Sequence, residues 1–220
     1  MNYLVHALPF LDDPYFAAAT GVPDWLSVID RRVRLRSKHV DPFLNHHDPI
    51  LAAVAGGVAQ HLFDDAQFHG TRAFFEVSTR LAELGRGTLG NDQGPRSGFL
   101  GHLLCEVLLD ATLAAEEHDQ VVKYYQIMDE IDPQAIELAV NHMAPRPTER
   151  LAFFVGEFRR ARILWDYLDD SKLMIRLNQV MRRVGLPLLP AKFATILPEA
   201  RRIVAERNAG LLEGIPVAFV

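Results

Sequence analysis

Two sets of side chains in this sequence have the types and spacing to act together. His61, Asp65 and His69 recur every fourth residue, and so do His102, Glu106 and Asp110. On an α-helix, residues four apart stand one above the other, so each set forms a ladder along one face. Imidazoles and carboxylates sharing a stripe are the donors a divalent metal takes from a helix. A solvated polar stripe fits the first ladder equally well. The second ladder is more telling, because from Phe99 to Ala115 it is set among leucines, valine, alanines and Cys105, with no Lys or Arg. A helix apolar nearly all round is buried, and burying carboxylates without a partner is costly. A metal ion, or the histidines of the first ladder, would supply the missing positive charge.

The elements that must carry these residues read as helices throughout. Asp48-Pro49 is a capping signal that opens a run from Ile50 to about Leu84, with Gly70 as a possible interruption. Ala52, Ala53, Ala55, Gly56 and Gly57 make its first half thin, so another backbone can come close. Asp13-Pro14 opens a short helix from Tyr15 to Thr20, and a further one runs from about Pro23 to Val33. Five glycines and Pro95 between Gly85 and Gly98 read as a loop. Later helices are expected over His118–Ile131, Pro133–Met143, Thr148–Leu168 (with Thr148 as N-cap), Ser171–Val184 and Pro190–Leu212. No alternation of strand type is convincing, and no repeat or low-complexity tract interrupts the chain. The expectation is an all-α fold, a single compact domain of about eight to ten helices. Residues 1–145 would hold the candidate metal-site core, and 146–220 a basic helical C-terminal part.

Composition narrows the chemistry. The 220 residues are 49% hydrophobic and 23% charged, as in ordinary globular proteins. The single cysteine rules out an internal disulfide and thiolate-rich zinc sites, leaving nine histidines and the carboxylates as donors. No uninterrupted apolar run reaches the roughly 18 residues of a membrane span, and the start lacks a secretory pattern, so a cytoplasmic location is expected. Ten of the 23 Lys and Arg precede Arg146, against 20 of the 28 acidic residues. A positive C-terminal third on a negative body suits either an anionic partner or simple balancing of exposed helices. Arg31, Arg32, Arg34, Arg36 and Lys38, followed by His39, are the densest basic cluster, a candidate phosphate- or partner-binding segment. With a net charge of −5 and no recognition motif, nucleic acid is not expected.

The opening Met1-Asn2-Tyr3-Leu4-Val5-His6, the Gly21-x-x-Asp24 pattern, the Gly57-x-x-x-His61-x-x-x-Asp65 segment and the Glu106-x-x-x-Asp110 pair have an order and spacing that resemble the acyl carrier protein phosphodiesterase family. That family belongs with the helical HD-like metallohydrolases. The resemblance covers the first half of the chain. It departs from the family at Ala59, where a further His is usual, at Leu62 and Phe63, which replace basic residues, and at His69, which replaces an acid. Val22-Pro23-Asp24 with the first ladder also resembles zinc-dependent phospholipase C-like proteins. The resemblance implies an HD-like fold and an enzyme that hydrolyses a phosphodiester, such as the phosphopantetheine–serine link of acyl carrier protein. It implies His6, Asp24, His61 and Asp65, with His69 beside them, as ligands of Mn²⁺, Mg²⁺ or Zn²⁺. His102, Glu106 and Asp110 would form a second position or an outer shell, and Asp24 or Asp110 would take the proton of the attacking water. The basic residues from Arg31 to Lys38, and the later arginine helices, would dock the acidic carrier protein. The alternative is a non-catalytic helical interaction domain with a degraded site. A ferritin-like di-metal centre would need Glu-x-x-His pairs, and the sequence has none.

Overall fold

Aspartate followed by proline starts three of the helices. Asp13 Oδ1 accepts the Phe16 N–H (3.1 Å) ahead of Pro14–Ala19. Asp48 Oδ1 accepts the Ile50 N–H (2.9 Å) ahead of Pro49–Gly70, and Asp132 Oδ1 accepts the Gln134 N–H (2.9 Å) ahead of Pro133–Met143. Proline costs nothing at the first turn, where its missing N–H would have lacked a helical partner, and the aspartate satisfies the next donor. Asp13→Ala is expected to cost about 1 kcal/mol. For a chain of this size that lowers the melting temperature by about 2–4 °C, readable by thermal circular dichroism.

The structure, a computed structural model, describes residues 3–89 and 95–216. The chain is all-α: among the described residues there are fourteen α-helices, three 3-10 helices and no strand. This exceeds the eight to ten helices expected, because Tyr3–Ala7, Ser37–Val40, Ile163–Asp166 and Asn208–Leu211 are single turns too short to show a period.

The helices fall into two compact units, each made of separated stretches of chain. One comprises, among the described residues, 3–66 together with His118–Arg162. Its core gathers Leu4, Val5, Trp25, Val54, Val58, Tyr124, Val140 and Leu151, all within 2% of full burial. Trp25 and Tyr3 meet Phe158 at ring-centroid distances of 5.2 and 4.6 Å. Gly57 makes the closest approach: a Cβ there would lie 2.2 Å from the Phe16 carbonyl oxygen, so the Pro14–Ala19 helix rests directly on the backbone of the ladder helix. The other unit comprises Gln67–Glu117 and Ile163–Ile215. There Arg72–Leu89 packs on Pro95–Glu116 so closely that a Cβ on Gly101 would meet the Ser78 carbonyl oxygen at 2.2 Å. The stretch Phe99–Ala115 is mostly buried as expected, with Leu100, Leu104, Cys105, Leu108, Leu109 and Leu113 fully enclosed, but His102 on its ladder is 45% exposed.

Several boundaries differ from the sequence reading. The helix expected to stop near Leu84 runs through Gly85 and Gly87 to Leu89, and the next begins at Pro95. Gly85 is buried against the Phe193 ring, so the missing side chain makes room for an aromatic ring rather than marking a turn. The middle of that expected loop, 90–94, and the end of the apolar tail, 217–220, lie outside the described residues. The span Thr148–Leu168 is split by Arg162, whose φ of 46° is left-handed. That conformation costs a non-glycine residue about 1–2 kcal/mol. Against this, Arg162 Nη2 donates to Asp129 Oδ2 (2.5 Å) and its guanidinium lies 4.6 Å from the Tyr125 ring centre. Thr148 does not cap its helix. It exchanges two 2.8 Å hydrogen bonds with the Asn141 amide, while Glu137 Oε2 accepts the Ala152 N–H (2.9 Å) at the helix start. Pro190–Leu212 divides into a 3-10 helix, Ala191–Ile196, followed by Leu197–Glu206 and Asn208–Leu211. Finally, Arg96–Glu116 has the length and mean hydropathy (1.4) of a membrane span, which counting uninterrupted apolar runs missed. Of that window, 61% is buried inside the protein.

Candidate metal centre

His6 sits on the first helix, Tyr3–Ala7, where Leu4, Val5, His6 and Ala7 are all buried. A single turn enclosed all round has no solvent side on which to place a polar ring, so His6 must find its partners inside. It finds them on the ladder helix. His6 Nδ1 donates to Asp64 Oδ2 at 3.0 Å, and Gln60 Nε2 donates to the other oxygen of that carboxylate at 2.7 Å. Asp64 is 1% exposed, and it fixes the tautomer: with the proton on Nδ1, Nε2 presents a lone pair. That Nε2 faces Asp65 Oδ1 at 3.6 Å, just beyond hydrogen-bond length, and has no hydrogen-bond partner among the described residues. Two acceptors turned towards each other in a buried place call for a positive charge between them, a proton or a metal cation.

His61 completes the group. Its ring lies 4.3 Å from that of His6, and its Nε2 is 3.5 Å from Asp65 Oδ2. One donor atom from each of His6, His61 and Asp65 can be chosen so that all three lie within 4.8 Å of one another. The histidines are 1% and 3% exposed, whereas Asp65 is 32% exposed, so solvent reaches the group from the Asp65 side. Burial disfavours a protonated His61, but the hydrogen bond to Asp65 and the charges of Asp24 and Asp65 outweigh it, and the His61 pKa is raised. Burial likewise opposes the charge on Asp65, yet His6 and His61 hold that carboxyl far below the usual range. Asp24, in the first turn of Val22–Ile29, thus stands close enough for its charge to act on His61.

The first ladder divides at its last rung. His69 is not one of the three converging residues; its Nε2 lies 3.3 Å from Glu106 Oε1, and His102 Nε2 lies 3.0 Å from the same oxygen. These three form a second group with the reach to hold an ion. Burial pushes the Glu106 carboxyl up, but the positive charge of the amino terminus, and after it His102 and His69, hold it well below the carboxylate range. Asp110, one turn further along, has no exposed surface and belongs to neither group. The residue the sequence reading missed is Asp64. It falls three after His61 rather than four, off the ladder's register, and the adjoining Asp64-Asp65 pair was its only signal.

Arg31, Arg32, Arg34, Arg36 and Lys38 are all exposed, on the segment that follows the Val22–Ile29 helix. Arg32 is engaged by Asp30 at 3.1 Å, whereas Arg34, Arg36 and Lys38 have no carboxylate partner among the described residues. The later arginines are largely neutralised within the protein. Arg176 pairs with Asp166 (2.6 Å), Arg201 with Asp170 (2.8 Å), Arg202 with Glu199 (2.6 Å), and Arg207 with Glu76. Of these four pairs only Arg207–Glu76 draws on an acid outside the C-terminal third, so its basic surplus is little reduced. No protein-family model, curated protein or solved structure matches the chain.

Proposed function

We propose that this protein is a divalent-metal-dependent hydrolase acting on a phosphodiester, with His6, His61 and Asp65 as the metal-binding residues. The observation that carries the reading is the buried His6 Nε2, fixed as an acceptor by Asp64 and turned towards a carboxylate oxygen beside a second imidazole. Mixed imidazole and carboxylate donors suit Zn²⁺ or Mn²⁺, and with more carboxylate character Mg²⁺. Three protein donors with one solvent-reached side leave room for a water and a substrate, as catalytic rather than structural sites do. A bound ion would supply an acidified water and polarise a phosphoryl oxygen.

The chain's own residues do the rest. Asp64, steadied by Gln60, orients His6 and takes the proton of its neutral ring onto the Nδ1 side, so that Nε2 is the atom offered to a metal. Asp24 is not among the three converging residues; its charge acting on His61 supports reading it as a further donor or as the acceptor of the water's proton. Arg34, Arg36 and Lys38 offer an anionic substrate cations not already taken up by carboxylates. The phosphopantetheine–serine diester of an acidic carrier protein is the particular substrate that the sequence resemblance implies, with these residues as its docking segment.

Metal-stripped protein, refilled with Mn²⁺ or Zn²⁺, is expected to cleave bis(p-nitrophenyl) phosphate and to lose that activity in EDTA. Conversion of holo- to apo-carrier protein, read by mass spectrometry, assigns the substrate. Aryl diester cleavage without that conversion rejects the carrier protein and keeps the hydrolase. No hydrolysis of either, with melting unchanged by metal, rejects the enzyme in favour of a helical interaction domain.

A further inference from the structure

His69, His102 and Glu106 belong to the unit built from Gln67–Glu117 and Ile163–Ile215, and they share no residue with the His6–His61–Asp65 group. His102 and Glu106 are four apart on Pro95–Glu116, so one turn of helix presents both on one face. His69 comes from the last turn of Pro49–Gly70. Both imidazoles direct Nε2 at the same oxygen, Glu106 Oε1, at 3.3 and 3.0 Å. Their rings lie 4.8 Å apart and tilted by 30°. Phe74 stands edge-on to both, at 4.8 and 5.0 Å, and so holds the two rings in orientation. The carboxylate is 18% exposed, while His69 and His102 are 32% and 45% exposed, so the group opens to solvent on its imidazole side.

Two imidazole nitrogens and one carboxylate oxygen, pre-gathered by packing and accessible from water, are a three-donor set for a borderline ion. We propose that His69, His102 and Glu106 form a second, separate binding site for a transition-metal ion of the Zn²⁺ type, with its remaining coordination positions open to solvent. The ion takes the place of the two Nε2–Glu106 contacts, and each neutral ring then carries its proton on Nδ1. The ion ties residues 67–70 to the middle of Pro95–Glu116, and bound metal therefore stabilises this unit against heat.

The test is a Co²⁺ titration of the full-length, EDTA-stripped protein, followed by its visible d–d absorption. Replacing His69 and His102 together by Asn removes two of the three donors. Changing an outer-shell partner already weakens metal binding roughly 10–100-fold, so the variant is expected to lose one class of Co²⁺ binding with its spectrum. His61→Ala is expected to leave that class intact, so failure of the hydrolase site and failure of this one give different patterns. An unchanged titration in the double variant overturns the proposal. If the double variant does not fold, modification of the wild-type histidines by diethylpyrocarbonate decides: Zn²⁺ is expected to protect His69 and His102, and equal modification of both with and without Zn²⁺ overturns the site.

Discussion

His61→Ala is expected to abolish metal-dependent hydrolysis and the binding of the ion at the His6–His61–Asp65 group. His61 is 3% exposed, so no side chain can move in to replace its ring without displacing packed neighbours, and Asp65 loses one of the two imidazoles that hold its charge. Asp64→Asn removes only the partner that orients His6, and its cost is set lower, at roughly 10–100-fold in metal affinity. Isothermal titration with Mn²⁺ or Zn²⁺, alongside kcat/KM on the aryl diester, should rank the two in that order. An Asp64→Asn loss as complete as that of His61→Ala contradicts the assigned roles.

The same group sets a pH dependence with two opposed signs. The raised His61 pKa contributes stability that is complete below the ordinary imidazole value of 6.5 and is lost as pH rises through the folded value. The depressed Asp65 pKa contributes stability that is present above the ordinary 3.8 and is lost only in stronger acid. Metal-free protein is therefore expected to melt at lower temperature as pH rises above 6.5. The gain in melting temperature on adding metal should grow over that range, because the ion no longer competes with a proton. Scanning fluorimetry with and without EDTA measures both trends, and His61→Ala should reduce them to the part set by the His69–His102–Glu106 group. A metal-induced gain that shrinks as pH rises is incompatible with these ligands.

What could be read from the sequence was what depends on local spacing. His61 and Asp65 are four apart on one helix, so any helix there brings them together, and Asp-Pro caps announce three helix starts without tertiary help. The burial of most of Phe99–Ala115 followed from composition alone. His69 could not be assigned that way. Spacing places it on the same stripe as Asp65, but its partner is Glu106, 37 positions away, and only tertiary packing selects it. Asp64 escaped for the converse reason: a side chain one position off the stripe still reaches His6 because Tyr3–Ala7 lies beside that part of the helix. Gly85 and Gly87 misled because glycine signals a turn only where nothing rewards a helix, and Gly85 is rewarded by the Phe193 ring. The basic surplus after Arg146 suggested an external partner. Asp166, Asp170, Glu199 and Glu76 instead hold Arg176, Arg201, Arg202 and Arg207, side chains that would have met it. That leaves the segment from Arg31 to Lys38 as the stronger place to look for an anion.

Gly57→Ala is expected to be the most damaging single-methyl change in the unit that holds His61. The added Cβ would meet the Phe16 carbonyl oxygen at 2.2 Å, the Ala19 Cβ at 2.8 Å and the Ala19 carbonyl carbon at 3.1 Å. Two of the three are backbone atoms, so no rotamer change relieves the clash and the Pro14–Ala19 helix has to move. Overpacking of this kind typically costs about 1–3 kcal/mol, and up to about 1 kcal/mol returns because alanine favours the helix. A net loss of about 2 kcal/mol corresponds to about 4–8 °C in melting temperature for a chain of this length. Gly56→Ala meets only the edge of the Phe16 ring, at 2.6 Å, which can swing aside, so it should cost less. Gly87→Ala, exposed within a helix and with nothing inside 4 Å, should gain stability from propensity alone. The order Gly57, Gly56, Gly87 separates steric contact from helix propensity, since propensity by itself predicts a gain at all three. Gly57 is also one turn before His61, so the strain reaches the site. Metal affinity is expected to fall with stability in Gly57→Ala and to stay at the wild-type value in Gly87→Ala. Loss of affinity in both would mean that the close approach at Gly57 does not position the ligands.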